Sequence, residues 1–227
     1  EGSESRSSLT FDITSTDART TLRALNYHDV ITAARANVHA DLSWPGGPDE
    51  NLLGRSTGEF MIEMGDGQLL GVKPGAGRVL GLMSLSALPR RLSLDFRDLT
   101  DKGLAFDTVR GNFELKNGDA FTTNLVLRGP VAEIGIVGRT GLGTHDYDQT
   151  AVVTGDIGGS LGVAGAVVGG PVVGAALLVF SRIFKEPLKG VARAYYRISG
   201  PWDEPVVERI DKDDAQQSPS KSIAQDK

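Results

Sequence analysis

Cysteine is absent from this 227-residue chain, and histidine occurs three times, as His28, His39 and His145. The first absence excludes thiolate zinc sites, disulfides and a cysteine nucleophile, and leaves the compartment open. The three histidines form no HExxH or HxH spacing, so no metal ligands are nominated. His39 falls on the polar side of an alternating segment and His145 within GTHDYD, a turn, so both read as surface or turn residues. Long basic runs are missing and the formal net charge is −5, which argues against a nucleic-acid partner. A GxSxG elbow and a P-loop lysine are missing too. Gly75-Ala76-Gly77 lacks the Rossmann spacing and reads as a turn before a helix. The carboxylates of DFRD (95–98) straddle a strand end without a partner, and read as surface charges or a capping pair. Nothing here nominates a catalytic residue, a metal or a cofactor, so the expectation is a protein that is not an enzyme. The chain opens Glu1-Gly2-Ser3 with no basic segment before an apolar one, which reads as a piece of a longer or processed protein without a signal peptide.

What is abundant is alternation. FDITST (11–16) predicts a strand after a loose polar start, and Asp17 predicts the N-cap of a short helix over ARTTLRALNY. NVHADLSW (37–44) puts Val38, Ala40, Leu42 and Trp44 on one side. STGEFMIEM (56–64) aligns Phe60, Ile62 and Met64; GDG (65–67) predicts a hairpin, and QLLGV the next strand. A helix is expected over GAGRVLGLMSL (75–85), then a strand over RLSLDF (91–96). Residues 106–142 read as three strands joined at KNGD and RGP, and YDQTAVVTGDI (147–157) as another. About nine strands with hairpin turns and few helices predict an α+β, mainly antiparallel sheet with one apolar face. A tail from about residue 211 is polar and expected to be disordered.

IGGSLGVAGAVVGGPVVGAALLVF (157–180) is the longest uncharged run. It is long enough to span a bilayer, which takes about 20 residues. Its seven glycines and central Pro171 instead favour two short helices broken at Gly170-Pro171. Three placements follow: packing on the sheet, contact with lipid from one side, or a full span. The membrane-contact side chains would be Val163, Val167, Val168, Val172, Val173, Leu177, Leu178 and Phe180. Behind them Arg182, Lys185, Lys189 and Arg193 are spaced three, four and four apart. On a helix these share one face, suited either to solvent or to anionic head groups at a membrane surface.

DLSWPGGP (41–48), residues 65–130 and RAYYRISGPWDEP (193–205) resemble the C-terminal region of the YhdP-type proteins, within the AsmA-like group that also includes TamB. The resemblance covers roughly residues 11–206, and the N-terminal membrane anchor and long preceding β-region of that family lie outside it. It implies a curved, groove-like open sheet in the periplasm of a Gram-negative bacterium, anchored to the inner membrane in the full-length protein. It implies a non-catalytic bridge that carries phospholipid towards the outer membrane. The expected organisation is then a flexible end (1–10), an AsmA-like domain (11–210) holding the apolar helical segment (157–185), and the tail (211–227).

The apolar alternation supplies the side chains such a groove needs: Val38, Leu42, Trp44, Phe60, Ile62, Leu92, Leu94, Phe96, Phe113, Leu115, Leu125 and Leu127. A diacyl lipid exposes two chains of about 16 carbons, worth on the order of 25 kcal/mol at about 0.8 kcal/mol per CH₂. The same side chains serve equally as an ordinary core, which makes the competing reading a structural module docking on an outer-membrane or periplasmic protein.

Overall fold

The computed structural model describes residues 5–24, 31–47, 51–70, 104–130, 132–155 and 192–210. Nine strands make one antiparallel sheet in chain order: β1 Arg6–Ser15, β2 Ile31–Pro45, β3 Thr57–Leu69, β4 Leu104–Lys116, β5 Asp119–Arg128, β6 Ala132–Gly141, β7 Asp146–Gly155, β8 Ala192–Pro201 and β9 Val206–Ile210. Every strand pairs with the next, and β1 does not pair with β9, so the sheet is open. Among the described residues one α-helix, α1 Ala18–Ala24, follows β1, and a 3-10 turn, Leu53–Arg55, precedes β3.

Local chemistry sets these elements. Asp17 caps α1 as its sequence position predicts: Oδ1 accepts the Thr20 backbone N–H at 3.2 Å and Oδ2 its hydroxyl at 2.7 Å. Asn117 and Gly118, both at positive φ (49° and 84°), form the tight turn between β4 and β5 that Asn-Gly favours. The expected hairpin at GDG is not formed. Asp66 takes φ 52° inside β3, and Arg35 pairs with Gly65 and Ala33 with Gly67 in one unbroken register. The turn signal is absorbed as a kink, and QLLGV contributes its first residues to the same strand. At that level the inward positions of three strands shift together by one residue, from Ala33, Gly67 and Phe106 to Ala36, Met64 and Val109. β5 adds a bulge against both neighbours between Thr122 and Leu125, which bends and twists a strand locally.

The strands among the described residues differ in part from those expected. Among the described residues, QLLGV forms no strand of its own, and β8 and β9 lie in the stretch 192–210, for which no separate strands are expected. Residues 6–9, expected to be loose, belong to β1. The helix over 75–85, the strand over 91–96 with Leu92, Leu94 and Phe96, DFRD, His28, the tail and the whole 157–185 segment lie outside the described residues.

The two ends of the sheet differ. At one end the connections are short and bonded to each other: Gly118 N–H donates to Ser56 O at 2.9 Å, Leu142 N–H to Gly118 O at 2.7 Å, and Trp202 N–H to His145 O at 2.8 Å. From the opposite end leave both long connections, residues 70–103 between paired Leu69 and Leu104, and 156–191 between paired Gly155 and Ala192. Gly118 is closely packed at the short-turn end, where an added Cβ would fall 2.1 Å from the Gly54 carbonyl oxygen. Gly118→Ala is expected to lose at least about 1–2 kcal/mol from the left-handed φ alone, with a further loss from that clash, read as a lower urea midpoint.

Candidate lipid-binding face

Cross-strand register sorts the side chains into two faces. On the inner face one row runs Ile13–Val38–Ile62 across β1–β3 and continues as Leu125–Ile136–Ala151–Tyr196 across β5–β8. The next row runs Phe11–Ala40–Phe60–Phe113, then Thr122–Gly138–Gln149–Ile198. A third opens Leu9–Leu42 and reaches Leu115, Ala120, Thr140 and Tyr147. The outer face of β2–β5 is charged and paired, with Arg110–Glu63 at 2.6 Å, Arg128–Glu133 at 2.6 Å and Arg35–Asp66 at 2.9 Å. A depression of about 510 Å³ on that face is lined by His39, Glu59, Met61, Glu114 and Asn124 among others. Its two carboxylates stand beside Met61, Phe60, Phe113 and Phe121. His39 is half-buried as part of this wall, with Nδ1 2.7 Å from Asp12 Oδ1.

Of the twelve expected inner-face residues, nine are described. Leu42, Trp44, Phe113, Leu115, Leu125 and Leu127 are buried, and Val38, Phe60 and Ile62 are half-buried. The nine share one face, as their alternation predicts, but six are covered and form packed core. Trp44 also satisfies its indole there, Nε1 donating to Gly47 O at 3.1 Å. The open part lies at β1, where Leu9 is 44% and Ile13 40% exposed on the same face and Phe11 is half-buried between them. These three were missed as site residues. Their signal was present as Leu9-x-Phe11-x-Ile13, a period-2 run at the margin of a segment read as loose. Phe60 and Phe113 stack with ring centroids 4.4 Å apart at 3° and stand where the open rows meet the closed ones.

Arg193 corrects one expectation. It lies in β8 opposite Thr154, so it does not continue a helical stripe from Arg182, Lys185 and Lys189, which lie outside the described residues together with Val163 to Phe180.

The short-turn end is held by charge. Arg139 donates to Asp119 Oδ1 at 2.8 Å and to Asp146 Oδ2 at 2.5 Å. Partial burial works to raise the Asp146 carboxyl, but hydrogen bonds from Arg139 and from the Thr144 hydroxyl prevail and hold it below the usual carboxylate range. The same carboxylates raise Arg139. A depressed folded-state value contributes stability above the unfolded carboxylate range, lost as pH falls through the folded value. Asp146→Asn is therefore expected to cost about 0.5–1 kcal/mol at neutral pH. It should also flatten the acid limb of a pH series of melting temperatures.

The geometry defines an open antiparallel β-sheet protein whose apolar inner face runs out to an exposed edge strand. The chain belongs to the YhdP family: the family's profile, described as YhdP protein, matches residues 1–207. It is similar to the Escherichia coli (strain K12) protein named Intermembrane phospholipid transporter YhdP, at 35% identity over 178 residues, which are 77% of this chain and 14% of that protein. The chain thus spans about one seventh of the length of the curated relative it matches. No solved structure matches the chain.

Proposed function

We propose that this chain is a phospholipid-carrying module of a longer intermembrane transporter, holding acyl chains on the open part of its apolar face without making or breaking a bond. The observation that carries the reading is the exposure of Leu9 and Ile13 on the same face as the core, in a chain related to a phospholipid transporter. Apolar side chains left open beside a packed core mark a binding surface. A surface lined with leucine, isoleucine and phenylalanine offsets part of the cost, on the order of 25 kcal/mol, that two acyl chains carry in water.

The module works in the periplasm, as one piece of a bridge between inner and outer membrane. Its membrane-facing end is the one from which residues 70–103 and 156–191 leave, because the other end is sealed by bonded turns. Val163 to Phe180 then touch lipid, and Arg182, Lys185 and Lys189 meet anionic head groups. Co-flotation with anionic vesicles tests this contact, and equal recovery after deletion of residues 157–180 speaks against it. The activity itself is tested by transfer of a fluorescent phospholipid from donor to acceptor vesicles. Acceleration by the chain is expected, and a rate equal to the protein-free rate contradicts the reading.

The deep burial of Leu42, Trp44, Phe113, Leu115, Leu125 and Leu127 favours a second reading. In it the face is structural core alone, and the domain docks on a protein of the outer membrane or periplasm. That reading requires no lipid transfer.

A further inference from the structure

We infer that the apolar face has a closed end: acyl chains seated on β1–β3 stop at a wall formed by Phe60, Phe113 and Leu125 and leave the sheet there, rather than running on across β5–β8. The inference rests on the lipid-carrying reading above and adds to it where the path ends.

Exposure along the row that starts at Ile13 carries the argument; in the two flanking rows Ala40 and Leu42 are already buried on β2. Exposure falls from 40% at Ile13, through half-buried Val38 and Ile62, to 0% at Leu125 and Ile136. Bound chains gain stability from apolar area that water can reach beforehand. Leu9, Phe11 and Ile13 offer such area, and the β5–β8 positions offer none. The last step of the fall coincides with a change in packing at β4. Gly111 on β4 carries no side chain, and Leu125 leans into its place, with Cδ1 2.8 Å from where a Cβ would stand. Beside it the face-to-face pair of Phe60 and Phe113 fills the next row.

Beyond the wall the sheet has a different construction. Gln149 Nε2 donates to Thr140 Oγ1 at 2.7 Å in a buried bond that ties β7 to β6 across the inner face, with buried Thr122 in the same row as Gln149. The outer face is buried there as well, at Val126, Val152 and Tyr195, which stand in register. Strands buried on both faces form a two-sided core, and opening one to admit a chain would break close packing on both sides. On the near side of the wall the inner face is open at Leu9 and Ile13 of β1 and half-open at Phe11, Val38, Phe60 and Ile62, while Ala40, Leu42 and Trp44 of β2 are buried beside them.

The wild-type protein suffices for the test. It is loaded with a phosphatidylethanolamine carrying a diazirine near the end of one acyl chain, illuminated, digested and mapped by mass spectrometry. Label is expected in peptides from residues 6–15, 31–45 and 57–69, with residues 132–155 and 192–201 at the lipid-free background. Label in the β6–β8 peptides equal to that in β1–β3 overturns the closed end while leaving the carrier reading intact. Background label throughout removes the carrier reading and the closed end with it.

Discussion

Placing aspartate at both Leu9 and Ile13 is expected to abolish co-purified phospholipid while leaving the fold in place. Both side chains are substantially exposed on β1, which borders a neighbour on one side only in the sheet. Exposed substitutions away from caps and buried pairs usually stay within about 0.5 kcal/mol each, and edge strands tolerate inward charge. The melting temperature should therefore move little. The lipid should respond strongly, because a carboxylate facing hydrocarbon costs at least about 2 kcal/mol before it protonates. Two of them cover two of the three open positions on β1. Phosphorus content of a detergent-free preparation, measured beside its melting curve, separates the two effects. Retained phospholipid with an unchanged melt would place any bound lipid elsewhere.

Phe113→Ala should behave in the opposite way. Phe113 is 2% exposed, stacks on Phe60 and sits in the packed half of the face. Removing a buried phenylalanine costs about 3–5 kcal/mol, which for a chain of this size lowers the melting temperature by roughly 6–20 °C. A loss below about 1 kcal/mol in urea would mean that the inner face around Phe113 is not packed core, and the division between open and closed halves would fail with it.

The sequence carried the parts of this fold that depend on local period. Val38 to Trp44 alternate without interruption, and β2 presents Ala40, Leu42 and Trp44 inward as that period requires. Asn117-Gly118 and the Asp17 cap are local chemistry as well, and both form. What local pattern cannot carry is competition between a turn signal and the neighbouring strands. Gly65-Asp66-Gly67 satisfies every rule for a hairpin, but strand pairing with β2 and β4 on both sides keeps β3 continuous, and Asp66 alone takes up the left-handed backbone.

The site was legible as a face and illegible as a cavity. Period two says which side chains point the same way; it does not say which of them neighbouring elements cover. Leu125 and Ile13 look equivalent in alternation, and one is fully buried while the other is not. The difference arises from Gly111, fourteen residues from Leu125 in sequence and adjacent in space, and from the edge position of β1, a property of the sheet order. Arg193 shows the same limit from the other side: its spacing of four residues from Lys189 and eight from Lys185 fits one face of a helix, and β8 takes it as a strand.

Native mass spectrometry of the protein, purified without detergent from a Gram-negative host, addresses the carrier function most directly. The account predicts a folded species with mass increments matching one or a few phospholipids, lost in the Leu9→Asp, Ile13→Asp variant. A folded species at the bare polypeptide mass, from cells rich in phospholipid, would contradict it.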